Sequence, residues 1–121
     1  MKRVLILEDS LIVSKLLASL LRAKGFEVRE CTTVSEAQSD LNNVDLAILD
    51  YSLPDGTGLE IAEELKRRRP DVPMFLLTAR GSSIPRDVAS KAGIKEYMEK
   101  PVEPEMLLRT VERYCAIDAD T

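Results

Sequence analysis

The run Val44-Asp45-Leu46-Ala47-Ile48-Leu49-Asp50 decides how this chain is read. Val44 to Leu49 is its most apolar strand candidate, and the run stops abruptly at the carboxylate of Asp50. A short apolar run without a polar face suits a parallel strand covered on both sides. Directly after it, Pro54-Asp55-Gly56-Thr57-Gly58 supplies turn residues. Leu59, Ile61, Ala62 and Leu65 then recur at helical spacing, until Arg67-Arg68-Arg69 and Pro70 end the helix.

The same alternation extends both ways. Upstream, Val4 to Leu7 is a short buried-strand pattern ending in Glu8-Asp9. Leu11, Ile12, Leu16, Leu17, Leu20 and Leu21 follow at helical spacing, with Asp9 or Ser10 as cap and Gly25 closing the helix. Phe26 to Cys31 reads as a second strand, and Thr33-Val-Ser-Glu36 as a capping box that opens a helix through Leu41. Downstream, Met74 to Leu77 is a strand ending in Thr78-Ala79, followed by a Gly- and Ser-containing loop and a short helix over about 84–91. Ile94 to Met98 is the fifth strand. Lys100-Pro101 makes a tight turn, and Pro104 starts a last helix carrying Met106, Leu107, Leu108, Val111 and Tyr114.

Five strands alternating with five helices through short connections require a parallel sheet covered on both faces by right-handed crossovers. The expected architecture is an α/β, doubly wound, flavodoxin-like fold with strand order 2-1-3-4-5. The length of 121 residues predicts a single domain over 1–121, with its core at about 2–116 and a frayed tail from Asp118 to Thr121.

Composition narrows the function. Lys and Arg total 17 against 21 Asp and Glu, a formal charge of −4, which argues against nucleic-acid or anionic-membrane binding. Arg67-Arg68-Arg69 reads as cations at a helix C-terminus, where they complement the macrodipole. With no histidine, Ser-His-Asp and Cys-His nucleophiles, imidazole zinc sites and phosphohistidine on this chain are excluded. Cys31 and Cys115 have no CxxC spacing and read as small hydrophobes. The start MKRVLILEDS is too short in apolar residues for a signal peptide, and no apolar run approaches the roughly 20 residues of a membrane span. A reducing cytoplasm is the expected setting.

In a doubly wound sheet, ligands bind beyond the carboxyl ends of the strands, where the strand order reverses. Glu8-Asp9, Asp50, Thr78 and Lys100 all fall at such ends. Two carboxylates about 5 Å apart repel by roughly 3 kcal/mol at an effective dielectric near 20. Lys100 or a hard divalent cation can offset this, and an all-oxygen site without His or Cys suits Mg²⁺. Phosphoryl transfer onto an Asp side chain is one chemistry such a site supports. Taken singly, each residue has a plainer role: Asp50 as a turn residue, Asp9 as a helix cap, Thr78 as a strand end, Lys100 as a solvated turn residue and Tyr97 as packed core.

Leu7-Glu8-Asp9, Asp50-Tyr-Ser-Leu-Pro-Asp-Gly-Thr-Gly58, Leu77-Thr78-Ala79 and Tyr97-Met-Glu-Lys100-Pro101, in this order, resemble the receiver domain of two-component response regulators. The resemblance spans Lys2 to about Ala116. It implies that Asp50 is the phosphoacceptor and that Glu8, Asp9, Asp50 and the Ser52 backbone carbonyl hold Mg²⁺. It also implies that Thr78 and Tyr97 form a switch pair, and that Lys100 binds the phosphoryl group and is joined to Pro101 by a cis bond. The first acid is Glu where the family more often has Asp. The implied donor is a sensor histidine kinase or phosphotransfer protein, and the implied output is a downstream protein partner, with homodimerisation through the fourth helix, fifth strand and fifth helix as one possible assembly. The alternative is a phosphorylation-independent binding module, for which Glu8 is the only support. A turnover phosphatase is disfavoured, since Ser52 stands where a second carboxylate would be needed.

Overall fold

A computed structural model describes residues 2–81 and 84–115. The expected tail at 118–121 and the Ser82-Ser83 part of the loop lie outside the described residues. The main sheet is built from β1 (Arg3–Leu7), β2 (Glu27–Cys31), β3 (Leu46–Asp50), β4 (Met74–Thr78) and β5 (Ile94–Glu99). All its pairings are parallel, in the order β2-β1-β3-β4-β5. The helices are α1 (Leu11–Ala23), α2 (Val34–Gln38), α3 (Gly58–Arg68), α4 (Arg86–Lys91) and α5 (Pro104–Tyr114). The expected doubly wound fold is therefore the observed one.

Strand pleating divides the core into two layers. Leu5, Leu7, Ala47, Leu49 and Leu76 point to one side, where Val34, Ala37, Ile61, Ala62, Leu65 and Ala89 of α2, α3 and α4 cover them. Val4, Ile6, Leu46, Ile48, Phe75 and Leu77 point to the other, under Leu17, Ala18 and Leu21 of α1 and Leu107 and Val111 of α5. Helices on both faces leave β3 and β4 with no exposed residue along their length. This is why both read as unbroken apolar runs rather than alternating ones.

Several local readings change. α2 stops at Gln38 rather than Leu41. The Ser39 hydroxyl donates to the Glu36 carbonyl at 2.9 Å, and Asp40 N–H reaches back three residues to Ala37, which tightens the chain out of the α-helix. Leu41 is nonetheless buried in the turn. The Thr33 hydroxyl accepts from Glu36 N–H at 3.1 Å as a capping box requires, and the Glu36 carboxylate also takes Thr32 N–H and its hydroxyl, both at 2.8 Å. In α1 Ser14, Leu17, Ala18 and Leu21 are buried and Val13 packs partly buried against the same core, while Leu11, Ile12 and Leu16 stay exposed. A short antiparallel ribbon, Ser52–Leu53 with Gly56–Thr57, is added between β3 and α3.

Candidate functional site

The site lies at the carboxyl ends of β1, β3, β4 and β5. Glu8 extends β1 by one residue, its N–H donating to the Cys31 carbonyl at 3.0 Å, and its side chain is fully buried. One Glu8 oxygen, Oε2, accepts from Ser10 N–H at 2.9 Å, so the carboxylate is held by the backbone that opens α1. Of the two candidate caps, Ser10 is the one used, its hydroxyl accepting from Val13 N–H. Asp9 is exposed beside it.

Asp50 is the last residue of β3 and only 3% exposed. Its position depends on Gly58, the first residue of α3, because a Cβ there would overlap the Asp50 carbonyl oxygen. Lys100 N–H donates to the Thr78 carbonyl at 2.8 Å, continuing the β4–β5 pairing to the turn at the cis Lys100–Pro101 bond. The Lys100 ammonium bridges the two buried acids, Nζ standing 2.8 Å from Glu8 Oε1 and 2.8 Å from Asp50 Oδ2.

Carboxylate oxygens of Glu8, Asp9 and Asp50 lie within 4.8 Å of one another. At that range each like-charged pair costs roughly 3 kcal/mol at an effective dielectric near 20. One ammonium against three carboxylates leaves a negative centre. Burial pushes the Glu8 carboxyl up and the Asp50 charge adds to this, against the opposing bonds from Lys100 and Ser10. For Lys100 burial acts to lower the ammonium value, but the bonds to Asp50 and Glu8 outweigh it and the net shift is upward. The residues present thus suit a hard divalent cation: oxygen donors only, excess negative charge, and an opening on the Asp9 side.

Thr78 ends β4 fully buried, and its hydroxyl has no hydrogen-bond partner among the described residues. A buried hydroxyl without a partner is costly and calls for an explanation at a site such as this. Tyr97 stands apart on β5, paired with Leu76 rather than Thr78. It is half-buried, its hydroxyl donating to the Ile84 carbonyl at 3.1 Å and its ring lying 4.7 Å from the Arg86 guanidinium carbon. Ser52 is exposed in the first strand of the ribbon. A groove of about 460 Å³ lined by Val13, Leu17, Arg80, Pro101 and Val102 runs up to Lys100.

Three features at or near the site were not anticipated. The close approach of Gly58 to Asp50 had its only signal in the second glycine of the turn. Thr57 and Glu60 form a reciprocal cap on α3, with Thr57 N–H donating to Glu60 Oε2 at 2.9 Å, and the T-x-x-E spacing was visible in the chain. Asp55 bonds across to α2, a contact that local sequence does not signal.

Comparison with known proteins accords with this geometry. Residues 4–112 match the family described as response regulator receiver domain. The phosphate regulon transcriptional regulatory protein PhoB of Escherichia coli is 31% identical over 115 residues, covering 92% of this chain and 50% of PhoB. The chain thus spans about half the length of that curated relative. A CheY-like receiver domain from Methanospirillum hungatei superposes with a TM-score of 0.87 at 30% identity, over 93% of this chain and 92% of that one. The response regulator TrrA of Thermotoga maritima, solved in complex with Mg²⁺-BeF, gives 0.82 at 32% identity, over 94% and 99%. With the site at the strand ends and a family match over most of its length, the chain belongs to the response regulator receiver domains.

Proposed function

We propose that the chain, acting as one domain in the cytoplasm, accepts a phosphoryl group on Asp50 from the phosphohistidine of a sensor histidine kinase or phosphotransfer protein. The reading rests above all on the buried Asp50 carboxylate, gripped by Lys100 inside an all-oxygen acidic cluster. An Asp50 oxygen attacks phosphorus, an O–P bond forms, and the donor's P–N bond breaks with its electron pair returning to the imidazole. Glu8, Asp9, Asp50 and the Ser52 carbonyl would hold Mg²⁺, which supplies positive charge against the phosphoryl oxygens when bound. Lys100 then passes from the carboxylate to the transferred group, keeping its charge where negative charge has grown.

The unpartnered Thr78 hydroxyl is suited to donate to a phosphoryl oxygen, a charge-assisted bond stronger than a neutral one. Thr78 moving inward leaves room for the Tyr97 ring, which trades its bond to Ile84 and its stacking with Arg86 for a more buried position. That repacks the face of α4, β5 and α5, which meets a downstream protein or a second copy of the chain. The protein acts as a signalling acceptor rather than a turnover enzyme. The phosphorylation-independent module finds little support, since Glu8 stands within ligand distance of the other two acids despite its extra methylene.

The test is intact mass after incubation with Mg²⁺ and acetyl phosphate. Wild type should gain one base-labile phosphoryl group of about 80 Da and Asp50→Asn none. Modification persisting in Asp50→Asn overturns the assignment.

A further inference from the structure

The turn of the ribbon between β3 and α3 carries a carboxylate bonded to the start of another helix. Asp55 reaches the start of α2, where Val34 N–H donates to Oδ1 at 2.8 Å and Ser35 N–H to Oδ2 at 3.1 Å. These are the first two N–H groups of the helix, which have no partner within it. Thr33, at the N-cap, spends its own hydroxyl on the third, Glu36 N–H. Thr33 and Asp55 therefore divide the work without overlap, the second cap arriving from a segment 21 residues further along the chain. The bonds from Val34 and Ser35 also hold the Asp55 carboxyl below the usual range.

The bond serves the ribbon as much as the helix. Its ladder consists of only two residue pairs, Ser52 with Thr57 and Leu53 with Gly56, too little for a hairpin to hold its shape alone. Its base is tied by Tyr51 N–H to the Leu77 carbonyl at 2.8 Å and by Gly58 N–H to the Tyr51 carbonyl at 3.1 Å. Leu53 packs partly buried against the core, and Asp55, at the tip, supplies the polar anchor. Ser52 lies between the base and the tip. We infer that Asp55 is a positioning residue for the metal: by clamping the tip of the ribbon to α2 it holds the Ser52 carbonyl in place for the ion. This rests on the Mg²⁺-dependent reading above.

The experiment is Mg²⁺ titration by isothermal calorimetry on the full chain, paired with amide hydrogen exchange without metal. Asp55→Ala should weaken Mg²⁺ binding roughly tenfold, as loss of a supporting partner behind a ligand commonly does. It should also speed exchange at Tyr51 and Gly58. Asp55→Asn, which keeps one acceptor oxygen, should fall between, and phosphorylation of Asp55→Ala at saturating Mg²⁺ should return close to the wild-type rate. Thr33→Ala removes the other cap of α2 without touching the ribbon, so it should lower stability while leaving Mg²⁺ affinity within about twofold of wild type. Wild-type affinity in Asp55→Ala overturns the inference, and so does equal weakening in Thr33→Ala, since loss of α2 would then account for both. If wild type itself takes up no Mg²⁺, the functional reading fails and exchange decides the clamp: unaltered rates at Tyr51 and Gly58 in Asp55→Ala overturn it.

Discussion

On the proposed function, Thr78 is where stability and signalling pull apart most plainly. Its hydroxyl is buried at the end of β4 with no partner among the described residues. Such a group costs about 1 to 3 kcal/mol, and an apolar group of the same shape avoids that cost. Thr78→Val should therefore raise stability by about 1 kcal/mol, read as a higher urea midpoint at unchanged slope. On the proposed function, the same variant should take up phosphoryl from acetyl phosphate several-fold more slowly, because it lacks the hydroxyl proposed to donate to the transferred group. Lower stability together with undiminished phosphorylation would contradict this account. Cys31, by contrast, behaves as the small hydrophobe its spacing suggested: burial pushes its thiol up to about 11, and no disulfide joins it to Cys115.

Pairing between secondary-structure units explains much of what a linear reading leaves open. α1 and β2 are joined by Glu30, which accepts from the buried Ser14 hydroxyl at 2.9 Å and pairs with Arg22 at 3.1 Å and Lys15 at 3.5 Å. Burial works against the Glu30 charge, but the bonds from Ser14 and Arg22 outweigh it and its carboxyl lies below the ordinary value. A depressed value in the folded state means that this support is complete above the ordinary glutamate range, about pH 4.3, and is lost as pH falls through the lower folded value. Glu30→Ala leaves the Ser14 hydroxyl without its partner and should cost about 1 to 3 kcal/mol at pH 7. The gap between wild type and Glu30→Ala should narrow in acid. A gap that stays constant from pH 7 to 3 in urea melts would show that charge on Glu30 contributes nothing.

The complete fold gathers three acids and a lysine at one rim, and this concentration of charge has a thermodynamic consequence. On the proposed function, Mg²⁺ binds the folded chain and not the unfolded one, so at 100 times its Kd it adds about 2.7 kcal/mol. For a chain of this size that corresponds to a rise in Tm of about 10 °C. Asp50→Asn, which removes one of the clustered charges, should show a much smaller rise. Calorimetric scans with and without Mg²⁺ check this, and a wild-type rise below about 2 °C would contradict a metal site in this cluster.

Strand and helix order, the covering of both sheet faces and the residues of the acidic cluster were legible in the linear chain. Burial on two sides leaves continuous apolar runs, and the carboxylates and lysine fall where those runs stop. Ser10 rather than Asp9 as cap, the shortening of α2 and the reach of Asp55 to Val34 and Ser35 were not. In each of these, a polar group chooses among partners of similar chemistry, and the choice is made by which partner lies within about 3 Å once the strands are in register. Hydrophobic period is a property of neighbours along the chain. Hydrogen-bond partnership across 21 residues is a property of folded distances, and exists only after the sheet has formed.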